Sequence, residues 1–273
     1  MTGVSRRDAL GLLGGATLGG LLAGLGVVAL NTSDGFAAKD DKATAALWTP
    51  HKLVAAECAP VAHAGYYHQG YGCCYGVFES IVGGMGRKHG APYNQFPFAM
   101  MEVGKSGISD WGTICGALLG AASAMALFWG RKERDSMVTE LFRWYEKTAF
   151  PVYVPPVGAP GLPGPLPTSV PESVLCHISV SSWANATGIS AHDKRRNERC
   201  ARITADVATK ALEIMNAKID GVFAAKLKSP VEAACLDCHG KDKVSPILKG
   251  RMDCTPCHSG SEHVQNKFRN HPK

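Results

Sequence analysis

Apolar residues recur along most of this chain at three- and four-residue spacing, the period of helices that bury one face. Leu47 to Val82 contains one such stretch, expected to end near Gly83-Gly84 and to be followed by a loop around Gly86 to Gly90. Cys115 to Trp129 reads as a buried helix with a small-residue face of Gly116, Ala117, Gly120, Ala121 and Ala124. A charged amphipathic helix follows, with Met137, Val138, Leu141, Phe142, Trp144 and Tyr145 on its core face. A last long helix is predicted from about Ala201 to Leu227, striped by Ile203, Val207, Leu212, Ile214, Met215, Ile219, Val222 and Phe223. Between these, Pro151 to Pro171 holds eight prolines and three glycines, which excludes helix and central strand and predicts an extended arm. Such an arm runs over the surface of its own subunit or wraps onto a second one. Past residue 228 no apolar period is long enough to build a core.

The N-terminus has its own signature. Arg6-Arg7 precede 22 uncharged residues, Ala9 to Leu30, seven of them glycine. This is the pattern of a twin-arginine export signal occupying residues 1–37, with Gly35-Phe36-Ala37 offering small residues for cleavage. So many glycines make a poor permanent membrane helix, so no anchor is expected after cleavage, and the location implied is the periplasm.

The most specific chemistry stands at the other end. Cys235-Leu236-Asp237-Cys238-His239 and Cys254-Thr255-Pro256-Cys257-His258 are two Cys-x-x-Cys-His motifs. Two thiols add to the vinyl groups of one porphyrin, and the adjacent histidine reaches the iron as proximal ligand. Two covalent c-type haems follow, on Cys235, Cys238, Cys254 and Cys257, with His239 and His258 proximal. The fifteen residues between Cys238 and Cys254 also fall in the structural zinc range. A four-cysteine zinc site, however, has no use for a histidine after each pair. The expected fold is therefore mainly α: a helical cysteine-rich domain over 38–228 with its Pro-rich arm at 151–171, and an irregular dihaem segment over 229–273 whose haems serve as its core.

Six further cysteines lie far apart, at Cys58, Cys73, Cys74, Cys115, Cys176 and Cys200. The last five lie at or near predicted helix ends and could converge. An iron-sulfur cluster, two disulfides in an exported protein, and buried free thiols all fit their spacing.

Gly72-Cys73, Gly83-Gly84-Met85-Gly86-Arg87, Cys115-Gly116-Ala117-x-x-Gly120, Cys176 and Cys200 resemble the C-GCAxxG-C-C redox family, which has four characteristic cysteines. With an export signal before it and two haem motifs after it, the chain resembles the split-Soret cytochromes c over about residues 50–258. The resemblance implies a mostly helical homodimer, two closely stacked bis-histidine haems per subunit, and an iron-sulfur site on Cys73, Cys115, Cys176 and Cys200. Cys58 lies outside the motif. The export route agrees, because twin-arginine substrates cross folded: a cluster inserted in the cytoplasm requires that route, whereas c-type haem, attached after export, does not.

Bis-histidine iron needs distal ligands. His63 and His68 flank Tyr66-Tyr67 just before the cysteine motif, and His263 lies in the haem tail. Six-coordinate iron leaves no open site for substrate, which favours electron transfer over catalysis. The alternatives are a haem-dependent reductase of a small oxyanion or peroxide, which needs one five-coordinate haem, and a thiol-disulfide redox or sensor module. After signal removal 27 Lys/Arg face 21 Asp/Glu, and residues 226–273 hold nine basic against five acidic side chains. That basic tail either balances the haem propionates or steers an acidic redox partner protein. No motif supports nucleic-acid binding.

Overall fold

The structure, a computed structural model, describes residues 47–227, 233–244, 246 and 250–252, without the side chains of 233–235. The expected leader over 1–37, together with Cys254, Cys257, His258 and His263, lies outside the described residues.

Among the described residues the regular elements are helices, with two isolated antiparallel bridges, Ile114 with Leu175 and Phe150 with Ser169. Helix α1 spans Ala55–Tyr67 and α2 spans Gly72–Phe78. Between them the chain turns sharply where Gln69, Gly70 and Gly72 take φ of 50°, 76° and 81°. These are left-handed values that glycine adopts at no steric cost. The single stretch expected to end near Gly83-Gly84 is therefore two helices. The second passes through a π-helical turn, Glu79–Gly83, and continues as α3, Gly84–His89, ending at Gly90 with φ 75°. Gly83 and Gly84 hold helical dihedrals, so they do not break it, and most of the expected loop is its last turn.

Helix α4, Gly116–Phe128, and α5, Arg131–Lys147, follow the expected pattern. Met137, Leu141 and Tyr145 of α5 are buried, with Val138, Phe142 and Trp144 packed partly against the core. Helix α6 is Cys176–Thr187 and α7 is Lys194–Ile219. Helix α7 begins about two turns before the expected start because Asp193 caps it, accepting the Arg195 N–H at 2.8 Å. Its first residues, Lys194 to Glu198, are too polar to carry an apolar stripe. It ends at Ile219, so Val222, expected on that stripe, is exposed. Among the described residues no helix is long and apolar enough to cross a membrane.

Helix α7 is the axis of the molecule, with Ala205, Val207, Ala208, Ala211, Leu212 and Met215 fully buried. It packs on α1 and α2, which meet it at Gly76. A Cβ there would lie 2.6 Å from Ala62 O and 2.8 Å from Thr204 Cγ2, so only glycine lets the three backbones approach this closely.

The Pro-rich arm is extended, and it lies along its own subunit. Phe150 and Ser169 exchange both backbone hydrogen bonds at 2.9 and 3.0 Å. Asp206 accepts the N–H groups of Val152 and Tyr153 at 3.0 and 2.7 Å, and Trp183 Nε1 donates to Pro167 O at 2.8 Å. At the middle of the arm Leu162 donates its N–H to Glu198 at 3.1 Å and accepts from Arg202 at 2.8 Å.

Candidate metal centre

Two helix N-termini are brought side by side by the Ile114 bridge. Cys115 N donates to Val174 O at 2.8 Å, and Cys176 N donates to Thr113 O at 2.6 Å. Cys115 then caps α4, and Cys176 is the first residue of α6. The segment leading in is a left-handed turn: Ser106, Gly107, Ile108, Ser109 and Asp110 have φ of 51°, 71°, 60°, 49° and 65°. Non-glycine residues there cost roughly 1–2 kcal/mol each. Backbone hydrogen bonds from Ser109, Gly112 and Thr113 back to Val103, Ser106 and Gly107 hold it. A Cβ on Gly107 would come within 2.9 Å of Cys176 Cβ, so the turn is packed onto the site.

Helix α2 contributes Cys73 and α7 contributes Cys200. Cys200 lies inside its helix rather than at the expected end, because α7 starts earlier. All four cysteines line one partly open cleft, with Tyr145, Ser179 and Arg199 as polar walls and Val180 and Ile203 as apolar ones. Gly116 permits the approach of α2, since a Cβ there would fall 2.6 Å from Cys73 Sγ. Cys73 and Cys115 are buried, while Cys176 and Cys200 are half-buried and mark the open side. No disulfide joins the described cysteines.

The thiols are not equivalent. Cys115 is pulled down to about 6, first by the hydrogen bond from Cys73, against the opposing effect of burial, then by Tyr145 and the N–H groups of Ala117 and Leu118. Cys73 is correspondingly pushed up by that same bond and by burial, so the pair shares one proton, held on Cys73. The thiolate belongs on Cys115 because a helix N-terminus faces it. Burial pushes Cys176 up, as does the neighbouring Cys115 charge, against Arg196 and Arg199. Cys74, which lies outside this cavity, is pushed up to about 12 by burial and then by Cys115.

Among the described residues no three Cys, His, Asp or Glu side chains converge as a single-ion site. Tetrahedral zinc would need its sulfurs gathered about 2.3 Å from one point. Thiols arranged around a space, with one already a thiolate and backbone donors beside it, fit the ligand set of an iron-sulfur cluster.

Helix α8, Ala233–His239, carries the first haem motif, and its register places positions 235, 238 and 239 on one side of a turn. Cys238 is exposed and His239 half-buried. His63 is buried at 1 % exposure, with Nε2 3.2 Å from Glu198 Oε1. His68 is exposed at the turn and stacks on Tyr75, with ring centroids 5.3 Å apart. The two histidines are thus in opposite environments.

Tyr145, Ser179 and Arg199 are wall residues that the sequence pattern does not single out. Tyr145 sits in an apolar stripe and Ser179 in an ordinary helix. Arg199 alone leaves a trace, as an arginine directly beside Cys200 in a helix that proves buried.

The family model described as "Putative redox-active protein (C_GCAxxG_C_C)" matches residues 71–214. The split-Soret cytochrome c of Desulfovibrio desulfuricans (strain ATCC 27774) is 53% identical over 277 aligned positions, which cover 98% of this chain and 99% of that protein. A solved structure reported as "A novel iron centre in the split-Soret cytochrome c from Desulfovibrio desulfuricans ATCC 27774" matches with a TM-score of 0.77 at 57% identity. That match covers 82% of this chain and 95% of the other.

Proposed function

Since this chain belongs to the split-Soret cytochrome c family and carries its C_GCAxxG_C_C domain, we propose that it is a periplasmic dihaem electron-transfer protein with an iron-sulfur centre held by Cys73, Cys115, Cys176 and Cys200. The observation that carries the reading is the convergence of those four thiols, from four separate helices, on one cavity. The haems hang from Cys235, Cys238, Cys254 and Cys257, with His239 and His258 as proximal ligands. Bis-histidine ligation, stacking and a homodimeric setting belong to the same proposal, supported by the family resemblance, and His63, His68 and His263 are the distal candidates.

An iron-sulfur cluster supplies one-electron redox chemistry when bound. The protein's part is to hold it. Cys115 presents a thiolate at the start of α4, the N–H groups of Ala117 and Leu118 face its sulfur, and Cys73 is sealed from water behind it. Cys176 and Cys200 stand toward solvent, where electrons enter and leave most readily. Arg196, which acts on both of them electrostatically, gives that side a positive charge suited to an acidic partner.

The closeness of Cys73 and Cys115 favours one other reading, a thiol-disulfide couple. Analysis of protein matured in its native host separates the two. Iron beyond two per chain, acid-labile sulfide and a paramagnetic signal on reduction establish the cluster. Absence of sulfide with reversible loss of two titratable thiols establishes the couple.

A further inference from the structure

The cavity wall holds a buried cation that no described carboxylate neutralises. Arg199 is 1 % exposed, and among the described residues no carboxylate pairs with it. Its guanidinium lies 5.7 Å from the centre of the Trp183 ring, and Nη2 donates to Ser179 Oγ at 3.1 Å. Nε is buried and has no acceptor at all. An unpaired charge and an unmet donor are each expensive in a protein interior. Neighbouring arginines show the usual remedy, since Arg202 is paired with Glu198 at 2.6 Å. Arg199 has instead been left facing the thiols.

Its second connection leads to one thiol in particular. Ser179 Oγ is 3.1 Å from Arg199 Nη2 and 3.0 Å from Tyr145 Oη, and the Tyr145 hydroxyl also reaches Cys115. A guanidinium can only donate. Tyr145 Oη donates to Ser179 Oγ in this structure; when Cys115 is a thiolate the hydroxyl turns to the sulfur, and donation then runs from Arg199 to Ser179, from Ser179 to Tyr145, and from Tyr145 to sulfur. Each bond in such a chain polarises the next.

We propose that Arg199 balances the negative charge of the four-thiolate centre, directly through Nε and through Ser179 and Tyr145 onto Cys115, and thereby raises its reduction potential. This rests on the iron-sulfur reading above. Reduction adds one electron, supplied in the test by dithionite, and makes the centre one charge more negative. A fixed positive charge in a low-dielectric wall stabilises that reduced form more than the oxidised one. Arg199 is a positioning residue with an electrostatic role, and it takes no part in bond making.

The test compares the midpoint potential of the iron-sulfur signal in full-length, haem-loaded wild type, Arg199→Gln and Arg199→Lys. The glutamine variant is expected to titrate at lower potential, the lysine variant near wild type, and the haem potentials to stay unchanged in both. Equal iron-sulfur potentials in all three overturn the proposal. If the glutamine variant takes up no cluster, uptake becomes the readout. Loading restored by lysine, with equal thermal midpoints of the cluster-free proteins, supports charge balance, whereas equal loss in both variants marks a packing role and overturns it. A wild type without acid-labile sulfide instead defeats the cluster reading itself, and the charge balance with it.

Discussion

Glu198 and Arg202 stand one helical turn apart on α7, joined at 2.6 Å in a pocket where their side chains are 0% and 2% exposed. The carboxylate also accepts from Tyr67 at 2.5 Å and from Leu162 N at 3.1 Å, and it faces His63 at 3.2 Å. One carboxylate thus ties α1, α7 and the middle of the Pro-rich arm together. Removing one member of a buried pair leaves its partner uncompensated, at a cost of about 3–5 kcal/mol. Glu198→Ala should lower the unfolding free energy by that amount, with a matching fall in the denaturant midpoint, and make the arm around Leu162 susceptible to limited proteolysis. An unchanged midpoint would remove the arm's anchor from the account.

Asp206 predicts a pH dependence. Burial raises it to about 6 from an ordinary 3.8, against the pull of the Val152 and Tyr153 N–H groups and Arg202. The folded value lies above the unfolded one, so its contribution is fully present below pH 3.8 and is lost as pH rises through about 6. The difference is on the order of 2–3 kcal/mol. Wild type minus Asp206→Asn stability should therefore decline between pH 4 and pH 7. Unfolding midpoints of the two proteins across that range measure it, and a flat difference contradicts the assignment.

The four-thiol assignment separates neighbours in sequence. Cys73→Ser, Cys115→Ser, Cys176→Ser and Cys200→Ser should each abolish or sharply reduce acid-labile sulfide per chain. Cys74→Ala and Cys58→Ala should leave sulfide content intact while costing about 1 kcal/mol of core packing. Gly116→Ala should behave like a ligand variant although it removes no ligand, because its Cβ meets the Gly104 backbone oxygen and, at 2.6 Å, Cys73 Sγ. Full sulfide content in that variant would show that α2 can retreat from α4.

Covalent haem gives the simplest measurement. Cys235→Ala combined with Cys238→Ala should lower the mass of the denatured polypeptide by one haem, beyond the side-chain changes, and leave the other in place. Loss of both, or of neither, would contradict independent attachment at the two motifs.

Much of the helical plan is legible in the chain. Helices α4 and α5 follow apolar periodicity closely, since each buries one face in the common core. Helix α7 is legible only from its middle, because its first two turns are charged, and Glu198 and Arg199 turn inward onto His63, Tyr67 and Ser179 from other elements. Glu198, Arg199 and Arg202 look like a solvated face and are at most 1 % exposed. The break after α1 is signalled by Gly70 and Gly72, and the passage through Gly83-Gly84 is masked by the same residue type. The haem motifs are readable from five residues each, because covalent attachment needs local spacing. The cysteines of the cavity are different: their spacing admits several chemistries, and family resemblance joins them before geometry does. Tyr145, Ser179 and Arg199 could not be found without the fold.

The bridge between the segments around Ile114 and Leu175 has a consequence for the order of events in the cell. Cavity-lining thiols separated so widely along the chain share one pocket only when α7 is docked against α1 and α2, so the pocket does not exist before that packing. A half-made chain, or one that has folded wrongly, offers scattered sulfurs and no place to deliver iron. On the iron-sulfur reading, cofactor delivery then acts as an inspection step, and the fraction of chains that carry the centre counts those that finished folding.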